Sequence, residues 1–151
     1  RGPAAAAALG DLRIVQRHLV YVIGLPGELR DPEVLRGARY FGQYGHVQKV
    51  VLNTHEHVRD PEDPRHGTVS AYVTFADRRG ARAAIRAVSG HRLGARHLRA
   101  SYGTTKYCNQ FVRGLACTNP ECLYLHTPGD PADIFTKEEI QAGLAREPGS
   151  G

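Results

Sequence analysis

The order of strand and helix signals along the chain predicts an α+β fold of the ferredoxin-like class, βαββαβ, followed by a small zinc finger. Four runs of β-forming residues alternate with two amphipathic helical patterns in that order. All three cysteines lie between residues 108 and 122, and a histidine follows at 126. Positive charge is concentrated just before and into this cluster. These observations predict one ordinary domain with a metal-held appendage.

The first half of the predicted domain is a strand, a helix and a second strand. Leu19–Leu25 (LVYVIGL) has the composition of a strand and is followed by a Pro-Gly turn. Asp31 and Pro32 form an N-cap with proline at the first helical position. The apolar residues after them recur at helical spacing: Val34, Leu35, Ala38 and Phe41. Val47–Asn53 (VQKVVLN) predicts the second strand.

The second half follows a long polar loop, residues 53–67, that is rich in prolines and charges. Thr68–Phe75 (TVSAYVTF) alternates as the third strand, Asp77 caps the second helix, and His97–Tyr102 (HLRASY) predicts the fourth strand. We expect the loop histidines to be exposed to solvent, because no ligand pattern accompanies them: His55, His57 and His66.

Strand alternation assigns the side chains of the first and third strands to two faces. The apolar set is predicted to face the helices: Val20, Val22, Ala71, Val73 and Phe75. Tyr21, Ser70 and Tyr72 then point to the uncovered face, where two tyrosines are what base stacking needs. The alternative is that the tyrosines are cross-strand partners that stabilise a sheet whose role is to bind protein.

The cysteine cluster has the spacing C-x8-C-x4-C-x3-H and predicts one structural zinc site. Its ligands are Cys108, Cys117, Cys122 and His126. Zinc prefers four tetrahedral thiolate or imidazole ligands, and this set leaves no position open for water or substrate. The alternative is a chance grouping of free thiols, which the spacing and the closing histidine disfavour.

Composition indicates which partners and compartments to expect. Residues 76–113 hold nine basic side chains and one acidic one, whereas residues 114–151 hold two basic and six acidic. The basic segment favours nucleic acid as a partner. Cysteines committed to metal argue for a reducing, intracellular location, cytoplasmic or nuclear, and no apolar run approaches the ~20 residues of a membrane span. The absence of methionine indicates a fragment or a processed form.

The strands resemble the signature segments of RNA recognition motifs. Tyr21 matches the aromatic residue of the family's hexamer, and Tyr72 and Phe75 match two aromatic positions of its octamer. The octamer's leading basic residue, its glycine and its first aromatic residue are replaced here by Thr68, Val69 and Ser70. The resemblance implies single-stranded RNA binding at Tyr21 and Tyr72, with one stacking platform fewer. Arg99 and Lys106, which no helical face explains, are the candidate phosphate contacts.

The metal segment resembles CCCH zinc fingers, many of which bind single-stranded RNA between aromatic and basic side chains. Phe111 and Tyr124 stand where that family often has aromatic residues. We expect Phe111 to form the small core of the finger, and Tyr124 to be the residue that stacks on a base.

Residues 13–143 also resemble the RING-type ubiquitin-ligase subunit of the CCR-NOT deadenylase complex. The most specific segments are GTTKYC at 103–108 and FTKEEIQAG at 135–143. In that family a RING domain precedes this region and carries the ligase activity, so the resemblance implies an RNA-targeting part of such a ligase, with CCR-NOT subunits as partners. A RING domain binds two zinc ions, but the cysteines of this chain are used up by a single site. We therefore expect no enzyme activity from this chain.

These predictions divide the chain into four segments. They are a disordered Ala-rich tail at 1–12, the RNA recognition motif at 13–103, the CCCH zinc finger at 104–128 and an acidic tail at 129–151. A capping box of Thr136 and Glu139 predicts a short helix in the tail from about residue 137. We expect a monomer that binds single-stranded RNA within an mRNA-regulatory protein. The alternative is a protein-docking module with little RNA affinity.

Overall fold

Four main strands and two capped helices are the chief regular elements of the structure. The structure, a computed structural model, describes residues 9–93 and 96–143. It divides into a first unit, Arg17–Gly103, and a second unit formed by the described residues on either side of it. Among the described residues, no helix has both the length and the apolar character needed to cross a membrane.

In chain order, the elements of the predicted domain are β1 (Leu12–Pro26), α1 (Pro32–Arg36), β2 (Val47–Thr54), β3 (Thr68–Phe75), α2 (Arg78–Val88), β4 (Arg92–Leu93), β5 (Arg96–His97) and β6 (Arg99–Thr105). The four main strands, β1, β2, β3 and β6, and the two helices between them follow the predicted order; the short strands β4 and β5 come in addition. The strand order β2-β3-β1-β6 places β1 and β3 at the centre, as predicted. Both neighbours of β3 run antiparallel to it, and β4 and β5 pair separately. This is the predicted ferredoxin-like α+β fold.

The core of the first unit lies on one face of its sheet. The five strand side chains predicted to face the helices are fully buried there: Val20, Val22, Ala71, Val73 and Phe75. Leu35 of α1 and Ala81 and Ala84 of α2 belong to the same cluster. Burial stabilises a valine or phenylalanine by roughly 1.5–3 kcal/mol relative to exposure. The core face therefore decides which side chains remain on the other face.

Both helices begin where the sequence predicts. The side chains of Asp31 and Asp77 each accept a hydrogen bond from the backbone N–H two residues further on, at 3.0 and 2.8 Å. The first helix is shorter than its periodicity predicts and ends at Arg36, because Gly37 adopts an extended conformation. Phe41 is buried in a separate 3-10 turn.

The first strand begins earlier than predicted, at Leu12 rather than Leu19. Its first residues pair with β7 (Ile134–Thr136), a strand that the sequence did not predict. This pairing buries Leu12, and a 3-10 turn at residues 9–11 precedes it. The predicted disordered tail is therefore wrong for its last four residues, and its remainder lies outside the described residues.

The predicted fourth strand, His97–Tyr102, is interrupted at Leu98. The backbone N–H of Leu98 donates to the carbonyl of His91, and its carbonyl accepts from Gly90, both at 2.8 Å. These bonds hold Leu98 away from the ladder of the main sheet. His97 thus ends β5, and β6 begins at Arg99.

The second unit contains little regular structure. Its remaining elements are α3 (Asn109–Val112), a 3-10 turn (Pro131–Asp133) and α4 (Lys137–Gln141). The predicted capping box of α4 is confirmed, since Thr136 Oγ1 accepts from the Glu139 N–H and Glu139 Oε1 accepts from the Thr136 N–H. The predicted tail helix therefore forms where the sequence places it.

Candidate metal centre and nucleic-acid interface

The predicted zinc ligands come together in the second unit. Four residues have ligand atoms within 4.8 Å of one another: Cys108, Cys117, Cys122 and His126. Zn–S bonds of about 2.3 Å at tetrahedral angles separate sulfur atoms by about 3.8 Å, so the cluster needs only a small contraction to hold such an ion. Three thiolates and an imidazole are also donors that zinc prefers. The cluster is therefore positioned to bind a metal ion.

Local backbone geometry prepares Cys108 as a ligand. This cysteine directly precedes α3 and occupies its N-cap position. The N–H of Phe111, assisted by that of Gln110, holds the pKa of Cys108 down, at about 7. The thiolate is the form that binds metal, and the fold thus favours it before any ion arrives.

Few apolar side chains hold the second unit together. Among its described residues, the buried apolar ones are Leu12, Ile14, Val15 and Cys108. Phe111, predicted as the core of the finger, is partly buried and stacks on Tyr107 with ring centroids 5.5 Å apart. The Tyr107 hydroxyl accepts a hydrogen bond from the Gly129 N–H at 3.0 Å. With packing this sparse, a metal ion held by the four ligands would be the main support of the loop that carries them.

Two residues predicted to bind RNA meet in the metal segment. The Lys106 ammonium lies 5.4 Å from the centroid of the Tyr124 ring, and Tyr124 is 48% exposed. An exposed ring beside a cation can take both a base and a phosphate. Leu123 next to it is 88% exposed, and sequence reasoning missed it. The available signal was a leucine directly after a ligand, in a segment with too little core to bury it.

On the sheet of the first unit, Tyr21 and Tyr72 are direct cross-strand partners. Their rings stack with centroids 4.7 Å apart and planes inclined by 24°. Tyr72 is 38% exposed, so the pair stands on the open face, as predicted. Partial burial, and then the neighbouring Tyr21, raise the pKa of the Tyr72 hydroxyl. Each ring turns one face to the other, which the cross-strand alternative also predicts.

Arg99 adds a positive charge to this open face. Ala100 and Tyr102 pack against the core, so alternation along β6 turns Arg99 to the opposite side of the sheet. The Arg99 side chain is exposed there. The open face therefore combines two stacked tyrosines with a cation on a neighbouring strand.

One prediction for this region is wrong. His55, expected in solvent, is 8% exposed; Ser70 lies on the predicted face of β3 but is only 2% exposed. A hydrogen bond of 2.8 Å joins His55 Nε2 and Ser70 Oγ. The register explains the contact, because Asn53 pairs with Ser70 and the chain leaving β2 brings His55 back to it. Residue type alone gave no signal of this pairing.

The environment of His55 favours its neutral form. Burial lowers its pKa below the usual value of 6.5, Arg65 and His57 lower it further, and Asp63 opposes them. Among the described residues, none gives its buried Nδ1 atom a hydrogen bond, so a proton there would be left unsatisfied. Of the other loop histidines, His57 is exposed, as predicted, and His66 is partly buried.

Residues 20–99, just over half of the chain, match the RNA recognition motif. The chain belongs to the RNA recognition motif family. The matched span contains the tyrosine pair, the His55–Ser70 contact and the start of β6. The family predicted from the strand signatures is thus confirmed.

Two relatives of known name match more of the chain. It is 43% identical over 135 residues to a putative general negative regulator of transcription of Schizosaccharomyces pombe, covering 87% of this chain and 27% of that protein. It is 38% identical over 143 residues to the general negative regulator of transcription subunit 4 of Saccharomyces cerevisiae, covering 87% and 24%. The chain thus spans about a quarter of the length of these relatives.

Solved structures of RNA recognition motifs are more distant. The Pes4 RRM3 structure is 14% identical, with a TM-score of 0.47, and covers 61% of this chain and 98% of that one. A likeness of this degree adds no argument to the family assignment.

Acid should destabilise the RNA recognition motif through His55. Because its folded-state pKa lies below 6.5, the contribution of neutral His55 is full above pH 6.5 and is lost as the pH falls from there through the folded-state pKa. We expect His55→Gln to reduce the loss of unfolding free energy between about pH 7.5 and 5.5, measured by urea unfolding followed by circular dichroism. His46→Gln, at an exposed histidine of the same unit that is not among the groups acting on His55, should behave as the wild type. Equal pH dependence in His55→Gln and the wild type would contradict this account.

Proposed function

We propose that this chain binds single-stranded RNA and that the open face of its sheet is one contact surface. The observation that carries the proposal is the Tyr21–Tyr72 pair, which is stacked and partly exposed on a face shared with Arg99. Aromatic rings for bases and cations for phosphates are the two requirements of single-strand recognition. Membership of the RNA recognition motif family supports the same function.

The metal segment is proposed as a second contact surface. Tyr124 and Lys106 form an exposed ring–cation pair, and Leu123 beside them offers apolar surface to an unstacked base. Lys106 also belongs to the strongly basic segment 76–113, which attracts phosphate. The two proposed contact surfaces belong to different units of the structure.

We propose one zinc ion per chain in a purely structural role. Thiolate and imidazole donors support zinc over the harder cations, which prefer oxygen ligands. The four protein ligands would complete a tetrahedron, so no position is left for a reacting water. Zinc bound by these four residues would contribute to the free energy of folding and would not act as a Lewis acid on a substrate.

A protein-docking role is the second candidate, and one observation favours it. Tyr21 and Tyr72 each present a ring face to the other, so the pair already satisfies part of its stacking surface. A pair of this kind stabilises a sheet by roughly 0.5–1.5 kcal/mol without any ligand. The exposed faces of the two rings would then contact a protein partner.

The whole protein is proposed to be an intracellular regulator of mRNA, with this chain as its RNA-targeting part. Its relatives are named as negative regulators of transcription and are about four times as long as the matched segment. The resemblance across residues 13–143 supports a CCR-NOT-type ubiquitin ligase with its RING domain elsewhere in the sequence. CCR-NOT subunits are then the proposed protein partners, and the chain itself is proposed to be a monomer.

Substitutions should separate stacking contacts from phosphate contacts. Tyr21→Ala and Tyr72→Ala should each weaken binding of single-stranded RNA by ~1–3 kcal/mol with little change in salt dependence, because stacking releases no counterions. Arg99→Ala and Lys106→Ala should each lower the slope of log K against log salt by up to ~0.7. Fluorescence anisotropy at several salt concentrations measures both quantities.

Two matched variants serve as controls for this experiment. Tyr72→Phe keeps the ring and should bind nearly as the wild type. Arg86→Ala removes an exposed arginine from α2, on the helical side of the sheet, and should leave the affinity almost unchanged. If Arg86→Ala weakens binding as much as Tyr72→Ala, the RNA lies on the helical side instead. Absence of RNA binding would favour the docking role.

Removal of zinc should unfold the metal segment and leave the sheet of the first unit intact. Zinc contributes ~10–16 kcal/mol in finger peptides, more than the few buried apolar side chains here can replace. In heteronuclear NMR spectra, a chelator should collapse the amide signals of residues 108–126, and those of β1 and β3 should persist. Thr118→Ala, beside a ligand, should keep one zinc per chain by atomic absorption, whereas Cys122→Ala should lose it. Any other stoichiometry in the wild type would refute the site.

The isolated chain should have no ubiquitin-ligase activity. Its three cysteines belong to one cluster, and a two-zinc RING surface cannot be built from them. An autoubiquitination assay with a panel of E2 enzymes should show no chains with these 151 residues and chains with the full-length product. Ubiquitin chains formed by the isolated chain would disprove this assignment.

A further inference from the structure

The open face of the sheet ends beside Tyr72. Ser70 lies two residues before Tyr72 on β3 and therefore shares its face. Ser70 is nevertheless 2% exposed where Tyr72 is 38% exposed. Its strand neighbours Val69 and Ala71 belong to the helix-side core, so alternation along β3 turns the Ser70 side chain away from that core. Ser70 must therefore be covered from the open side.

His55 is the residue that covers it. The His55 Nε2 atom lies 2.8 Å from Ser70 Oγ, and both side chains are buried. The other ring nitrogen, Nδ1, is also buried and has no hydrogen-bond partner within residues 9–93 and 96–143. A ring enclosed on both sides in this way offers a base neither an open face nor a hydrogen bond to solvent-accessible nitrogen.

The loop that carries His55 is held in place along its length. At its far end the Gly27 N–H donates to the Gly67 carbonyl at 3.0 Å. Arg96 Nη2 donates to the His66 carbonyl at 3.0 Å, and His66 Nδ1 lies 3.1 Å from the Val58 carbonyl oxygen. His55 therefore belongs to a loop with its own contacts to β1 and β5, and moving it would disturb them.

We propose that His55 closes the position next to Tyr72, so that the sheet stacks bases at Tyr21 and Tyr72 and admits no third base at Ser70. The inference rests on the proposed RNA binding by this face. Same-face positions along a strand are about 6.6 Å apart, close enough for adjacent base platforms. A base at Ser70 would have to displace the imidazole and break its hydrogen bond. His55 thus sets the number of bases that the sheet accepts.

Opening the position and giving it a ring tests the proposal. The probe is a fluorescein-labelled decauridine RNA, and its affinity for the full chain is measured by fluorescence anisotropy. We expect the double variant His55→Ala/Ser70→Phe to bind roughly five- to 150-fold more tightly than the wild type, the gain of one stacked base. Ser70→Phe alone should gain much less, because the new ring must first displace His55.

A matched double variant controls for the new ring. His46→Ala/Ser70→Phe removes an exposed imidazole elsewhere in the same unit and leaves His55 in place, so it should bind like Ser70→Phe alone. The proposal is overturned if Ser70→Phe alone gains as much as His55→Ala/Ser70→Phe, since the position would then be open already. It is also overturned if the folded double variant gains nothing.

A measurement on the wild type decides the question if the double variant does not fold. NMR of the wild-type chain with decauridine should show intermolecular NOEs from base protons to the rings of Tyr21 and Tyr72 and none to His55 or Ser70. Base NOEs to His55 or Ser70 overturn the inference and leave the proposed function standing. Binding of decauridine that is insensitive to Tyr72→Ala, or no binding, removes the proposed function and this inference with it.

Discussion

The pairing of β1 with β3 is the constraint on which the sheet and its open face depend. In this register Val20 pairs with Val73 and is buried, and Tyr21 stands opposite Tyr72. A slip of one residue would turn every side chain of a strand to the other face. Each valine exposed in this way would cost roughly 1.5–3 kcal/mol, more than the roughly 0.5–1.5 kcal/mol of one aromatic pair. Core burial therefore sets the register, and the tyrosine pair follows from it.

The second unit is organised by a different force. It buries few apolar side chains among its described residues, and its ligand loop has hardly any regular structure. The backbone N–H groups near Cys108 and the closeness of four ligand atoms favour a cation at one point instead. A metal ion bound there would supply the order that the small area removed from water does not. The exposed Leu123 and Tyr124 are a consequence, because no core is present to receive them.

A polar contact limits the open face where sequence alternation alone would extend it. Alternation correctly placed Ser70 on the same face as Tyr72. Ser70 is buried on that face by His55, which lies in the loop after β2. Local sequence predicted that loop as polar and exposed, and most of it is. His55 and Val58 are buried, and the neutral ring of His55 can be buried at moderate cost because one of its nitrogens is hydrogen-bonded. A contact such as His55–Ser70, between a loop and a strand, depends on the register of the strands, and residue types alone do not predict it.

Local sequence patterns specify the order of elements, the helix caps at Asp31 and Asp77, the faces of the central strands and the four residues positioned to bind a metal ion. These are local properties, because spacing and alternation decide them within a few residues. Only the tertiary structure decided the pairing of β1 with β7, the burial of His55 on Ser70 and the meeting of Lys106 with Tyr124. Each of these contacts joins residues that are distant in the chain or placed by a loop. Such a contact stabilises the protein only when the rest of the fold already holds both partners in place, because ordering them costs conformational entropy.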